Sequence, residues 1–271
     1  MIGATSLVLA ACTNASTTPP STLGDPPAPN VHLTTVPMIP VPIPSTDPVG
    51  TALAVAGGAR NWSTINRELM FVPWHEAVVM RETSISEYAT QSPEGYRGVF
   101  TIAPLMASSA ITRQYVSVVY PVDSATAVSA GDGSWADSET ISLASGRPID
   151  VTGAILHDRP SVLEVERAFW PIYHATLIGH GSFFGCDAGD LWAGSGLFAQ
   201  GTFADMASMV NQFVDQSFVF AISREHLVAV TEPGTFADMA CGWHVLAIPW
   251  TQVPRVRALL ASRFHLSSAN S

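Results

Sequence analysis

Ten of the chain's twenty prolines are crowded between Thr13 and Ala56, as Pro19-Pro20, Pro26-Pro27-x-Pro29 and Pro37-x-x-Pro40-x-Pro42-x-Pro44, with Pro48 beyond. Proline lacks a backbone N–H and drives the residue before it toward extended geometry, so neither a helix nor a central strand is expected here. Only Asp25 and Asp47 are charged in this stretch. The composition reads as a disordered tether over residues 12–56, which confines the fold to residues 57–266, in two similar-sized halves of about 57–157 and 158–266. As a semi-rigid spacer the tether would reach roughly 130 Å; as a coil, nearer 40 Å.

What precedes the tether reads as an address. Residues 1–11, MIGATSLVLAA, carry no charge and end in an apolar, small-residue run that stops at Cys12. Leu9-Ala10-Ala11-Cys12 resembles the bacterial lipobox, in which cleavage leaves a Cys that takes up diacylglycerol. Residues 1–11 are then a signal peptide lacking the usual basic opening, and they are too short to span a bilayer, which takes about 20 residues. With Cys12 assigned to lipid, Cys186 and Cys241 remain as an even pair in an oxidising compartment. A bridge between them would stabilise by roughly 4 kcal/mol in the chain-entropy model. The expected location is the extracytoplasmic face of a cell membrane.

Charge narrows the partners. The formal net charge is −10, Lys is absent, and the 12 arginines form no basic run. Such a chain is a poor ligand for nucleic acid, and equally poor for an anionic lipid surface through charge alone. A hydrophobic share of 47% is ample for a core of this size.

Periodicity supplies the elements. A helix is expected after Ser63, with Ile65, Leu69 and Val72 on one face and Pro73 kinking or ending it. Val99–Ile102 and Gln114–Pro121 read as strands, the second β-branched and aromatic enough to be central. Thr140–Leu143 and Pro148–Val151 flank Ser145-Gly146 as a hairpin. Ser161 and Glu164 fit a capping box opening a helix limited or kinked by Pro171. Thr202 caps an amphipathic helix through Phe203, Met206, Val210 and Phe213. Phe218–Ile222 and Leu227–Thr231 form a second hairpin, Val245–Ile248 another strand, and Thr251 caps a last helix. Hairpins outnumber crossovers, which predicts an α+β fold, mainly antiparallel sheet with packed helices. The heptapeptide GTFADMA occurs at 201–207 and 234–240, but nothing flanking the copies agrees, so it reads as coincidence.

The order of Phe218–Ile222, Leu227–Val230, an irregular segment to Gly242, and Val245-Leu246-Ala247-Ile248-Pro249-Trp250 is similar to an extracytoplasmic domain family. That family is shared by a lysozyme-sensing bacterial anti-sigma factor, membrane-anchored peptidoglycan deacetylases and a secreted mycobacterial antigen. Ile65-Asn66, Tyr115–Tyr120, Trp135 and Ser145-Gly146-Arg147-Pro148-Ile149 carry the resemblance upstream. The chain departs from it at Ser223–His226, where the family has Asp-Gly, and at Gly234–Cys241, where it has a Tyr- and Pro-containing stretch. The resemblance implies a binding or sensing module of unknown ligand, without the deacetylase domain.

No catalytic set, metal site or cofactor is expected. Gly179-His180-Gly181-Ser182 is not a nucleophile elbow, since two phenylalanines separate Ser182 from Gly185. His174, His180, Asp187 and Asp190 lack metal-ligand spacing. Glu164 and Glu166 read as a solvated helix face. The tryptophans read as a mixture of core and rim. Candidate ligand or interface residues are Phe183, Phe184, Trp192, Phe236 and Trp243, aromatic positions in Gly-containing loops. The leading expectation is a membrane-anchored lipoprotein binding an envelope protein or glycan. The alternatives are an envelope hydrolase working through residues 179–190, or a carrier of an apolar ligand.

Overall fold

The computed structural model describes residues 22–39, 49–88, 99–125, 133–177, 218–231 and 244–266. In chain order the elements are β1 (His32–Pro37), β2 (Val49–Ala56), α1 (Ser63–Tyr88), β3 (Val99–Ile102), a 3-10 turn (Met106–Ser108), β4 (Ala110–Ile111), β5 (Tyr115–Ala125) and β6 (Gly133–Ser142). They continue with α2 (Val151–Leu156), α3 (Arg159–Leu177), β7 (Phe218–Ile222), β8 (His226–Thr231), β9 (His244–Pro249) and α4 (Pro254–Phe264). The class is α+β. A six-stranded sheet runs β1-β2-β3-β5-β4 with β6 on the other side of β5, and a three-stranded sheet runs β7-β8-β9. Every pairing is antiparallel except β2 with β3, where α1 supplies the crossover that parallel strands require.

β5 is the central strand expected, and its alternation divides the molecule. Val116, Val118, Tyr120 and Val122 enter a core with Ile65 and Leu69 of α1 and Ile141 of β6. Tyr115 belongs to a second core with Phe169 of α3, Phe218 and Phe220 of β7, Trp250, and Val256 and Leu260 of α4. The tryptophans are indeed mixed: Trp250 is fully buried and donates to the carbonyls of Ser223 and Arg224, Trp62, Trp135 and Trp170 are half-buried, and Trp74 is exposed.

The tether boundary requires correction. β1 and β2 both lie within residues 12–56, paired from His32↔Ala56 to Pro37↔Thr51. Upstream of them, Leu23 is wholly buried, its N–H donating to Arg224 O at 2.7 Å and its carbonyl accepting from Tyr115 Oη at 3.0 Å. Arg257 Nε and Nη2 donate to Thr22 O. Gly24 makes the turn with φ +80°, where a Cβ would stand 3.0 Å from both Gln114 and Tyr115. A proline count averaged over 44 residues conceals two apolar, proline-free runs, residues 30–36 and 49–56, and the prolines punctuate rather than dissolve them.

Both sheets have open edges, and side chains close them. Beyond its short pairing with β3, β2 presents Leu53 N–H to Tyr120 Oη at 3.2 Å and Val55 N–H to Asn66 Oδ1 at 2.7 Å, while Asn66 Nδ2 returns a bond to Val55 O. Tyr120 Oη in turn donates to Leu69 O at 3.0 Å. That carbonyl is available because the residue four positions on is Pro73, which has no N–H to offer it. Pro73 therefore does not end α1, which continues to Tyr88. On the second sheet, β7 presents Phe220 N–H to Thr152 Oγ1 and Ile222 N–H to Ser117 Oγ, each at 3.0 Å. Edges satisfied in this way offer no template for another strand.

Other expectations shift locally. The 140–151 hairpin shrinks to a single bridge, Ile141↔Pro148, with Gly146 at φ +70° and α2 starting at Val151. β6 is longer than Thr140–Leu143 because β5 offers it ten partners. Asp158, not Ser161, caps α3, its carboxylate accepting from Ser161 N. Glu164 instead reaches the start of α4, accepting from Arg255 N at 3.1 Å and Val256 N at 2.9 Å. That tertiary cap, with Pro254 as the first helical residue, does what Thr251 was expected to do. Glu166 is buried rather than solvated, and α3 runs through Pro171 to Leu177.

Candidate functional site

Two polar features meet on β6, one on each face. The first follows from alternation: Trp135, Asp137 and Glu139 stand opposite Val122, Tyr120 and Val118, on the face that α1 covers. α1 brings Glu68, His75 and Glu76 to the same place. Trp135 Nε1 donates to Glu76 Oε2 at 2.7 Å, and His75 Nδ1 lies 3.5 Å from Glu76 Oε1. Arg67, largely exposed, pairs with Glu68 at 3.3 Å. Asp137 Oδ1 accepts from Ser138 N at 2.7 Å.

Burial and crowding of like charge set the electrostatics. Burial, then the carboxylates of Glu68 and Asp137, push Glu139 up to about 8. Asp137 is raised by burial and by Glu76, against the lowering effects of Ser138 N–H and His75. One buried and one half-buried carboxyl on the same strand thus hold protons more tightly than free carboxyls do. Among the described residues, no group of three or more His, Cys, Asp and Glu is arranged to hold a metal.

The second feature is a cleft of about 170 Å³ between β6, α2 and β7. Ser138, Thr140 and Thr152 supply hydroxyls, and Ile149, Val151, Val219 and Phe220 supply apolar wall. Ser138 Oγ and Thr152 Oγ1 are 3.4 Å apart, and Ser117 Oγ lies 2.7 Å from Thr140 Oγ1. Of these, Thr152 and Ser117 hold the β7 edge. Asp150 is committed as the cap of α2, accepting from Gly153 N at 2.7 Å. Asp137 also lines the cleft beside Ser138, the lining contains no His, Cys or Lys, and the volume, on the order of five waters, is below that of drug-sized pockets.

The aromatic surface lies next to the acidic feature. Phe71 is 52% exposed and Trp74 36%, with Val79 exposed further along α1. The Phe71 ring lies 6.2 Å from that of Trp74 and 5.6 Å from that of His75.

No family model matches the chain, and no curated protein does. Among solved structures, a member of the DUF3298 family from Bacteroides fragilis aligns with 84% of this chain and 97% of its own at 8% identity, with a TM-score of 0.39. The likeness is too slight to transfer a fold or an activity.

The residues singled out in the sequence fall largely elsewhere. Cys12, Phe183, Phe184, Cys186, Trp192, Phe236, Cys241 and Trp243 lie outside the described residues, as do Ser182, His180, Asp187, Asp190, the 202–213 helix and both GTFADMA copies. His174 is described: it is half-buried on α3, its ring 4.9 Å from that of Trp170. Sequence reasoning missed Glu68, Glu76, Asp137 and Glu139. The signal available was Trp-x-Asp-x-Glu at period two, obscured because polar residues occupy both faces of β6. Among the described residues, no helix is long and apolar enough to cross a membrane.

Proposed function

We propose that the chain is a lipid-anchored, extracytoplasmic lipoprotein whose folded body is a non-catalytic binding domain. The observation that carries the reading is Leu9-Ala10-Ala11-Cys12 ending ten residues ahead of Thr22, where the backbone joins the fold. A thioether on Cys12 places the body close to the bilayer, since the ten steps from Cys12 to Thr22 span at most about 35 Å. The long stand-off of a 44-residue spacer is replaced by a short leash. In that oxidising space Cys186 and Cys241 are a pair for a disulfide. Binding is favoured over turnover by the exposed aromatic flank of α1 beside four carboxyl groups.

The test is mass spectrometry of the protein from a membrane fraction, with and without reductant. The expected species begins at Cys12 and carries a diacylglycerol adduct, and Cys12→Ser moves the protein out of that fraction. A soluble product that keeps Met1 and a free Cys12 thiol would end the anchoring claim.

A further inference from the structure

Glu139 is only 8% exposed, and among the described residues its Oε2 accepts no hydrogen bond. The charged groups acting on it, Glu68 and Asp137, have its own sign. Arg67 engages Glu68 from the solvent side and leaves Glu139 untouched. A carboxyl buried among like charges, with no donor at Oε2, holds its proton for want of a counter-ion, which a bound cation would supply. Just outward, Phe71 and Trp74 present aromatic surface to solvent on the same helix. Scattered apolar residues need no explanation, but aromatics grouped one turn apart and rimmed by charge mark interfaces.

We propose that the outer flank of α1 and the carboxylates of β6 form a docking surface for a basic polypeptide segment that also carries apolar side chains. A long Arg or Lys side chain supplies the donor that Glu139 Oε2 lacks and a positive charge beside Asp137, its stem lying along Trp135, while apolar neighbours cover Phe71 and Trp74. Charge selects this occupant over others. A second copy of the chain brings another net charge of −10, and an anionic bilayer repels the same carboxylates. The surface gives the binding domain proposed above a ligand class; it rests on that half of the reading, and Cys12 does not enter.

The experiment uses the full chain carrying Cys12→Ser and a fluorescent synthetic peptide of alternating Arg, Leu and Trp, with anisotropy as readout. The comparisons are an Arg→Glu version, an Arg-Ala version, and anionic phosphatidylglycerol vesicles. The basic, apolar peptide binds, and the other three bind at least about tenfold more weakly. Asp137→Asn with Glu139→Gln weakens binding about tenfold, and Phe71→Ala with Trp74→Ala does likewise. Glu225→Gln, on the exposed β7–β8 turn, changes it less than about twofold. The isosteric amides keep the fold, and circular dichroism confirms it. Equal weakening by Glu225→Gln means diffuse charge attraction and overturns the proposal. So do self-association in sedimentation that Phe71→Ala abolishes, preferential vesicle binding, and no peptide binding at all, the last leaving the carboxylates as protection for the β6 edge. Failure here leaves the anchoring result where it stands.

Discussion

Tyr120→Phe removes one oxygen and strands two backbone groups. Tyr120 Oη accepts from Leu53 N–H and donates to Leu69 O, at 3.2 and 3.0 Å, and all three residues are fully buried. A buried amide or carbonyl left without a partner costs about 1–3 kcal/mol, so the expected loss is about 3 kcal/mol. For a chain of this size that lowers Tm by about 6–12 °C. Pro73 supplies an internal control. Pro73→Ala restores an N–H four residues beyond Leu69, and that N–H satisfies the same carbonyl. In the Pro73→Ala background, Tyr120→Phe strands only Leu53 N–H, and its cost falls by about 1 kcal/mol. Denaturant unfolding of the four proteins in a double-mutant cycle measures that coupling. A coupling within about 0.3 kcal/mol of zero, or a Tyr120→Phe cost below about 0.5 kcal/mol, would refute the relay.

Other expectations are tied to single contacts. Glu164→Ala exposes the start of α4 and lowers stability by about 1 kcal/mol in denaturant titration, an effect that Asp158→Asn, on an exposed pair with Arg255, does not reproduce. Glu139 and His244 give stability opposite slopes with pH. Glu139 is raised from 4.5 to about 8, so the folded state holds its proton longer and stability falls as pH rises between those values. His244, pushed down to about 4 by burial, stays neutral in the fold while the unfolded side chain protonates below 6.5, so stability rises with pH from 4 to 6.5. The two offset each other below pH 6.5. Between 6.5 and 8 His244 no longer opposes Glu139, which contributes up to about 1.4 kcal/mol per pH unit. Glu139→Gln flattens that limb in urea titrations across pH; an unchanged slope would place the carboxyl in solvent.

Much of the fold is legible from pattern, and the misses share a cause. β5, β7 and β8 are apolar, β-branched runs that a pleated core demands in any context, and turns such as Ser145-Gly146 follow from what glycine permits. Glu164 was misassigned because its nearest helix start in sequence is its own, whereas the one it caps lies 92 residues away. Tyr120 reads as a core aromatic, and nothing local shows that it serves a strand and a helix at once.

The sequence by itself determined the α+β class, the central β5, the β7–β8 hairpin and the acidic balance of the chain, because periodicity and backbone chemistry act over a few residues. Only the tertiary structure decided that part of a proline-rich leader is sheet and that Pro73 lies within a helix. Only it showed that carboxylates from α1 and β6 crowd around one buried Glu139. Each of these depends on a partner beyond the reach of helix or turn spacing, as Pro37 with Thr51 and Leu69 with Tyr120, or on the water that packing removes, and such partners leave no mark on local spacing.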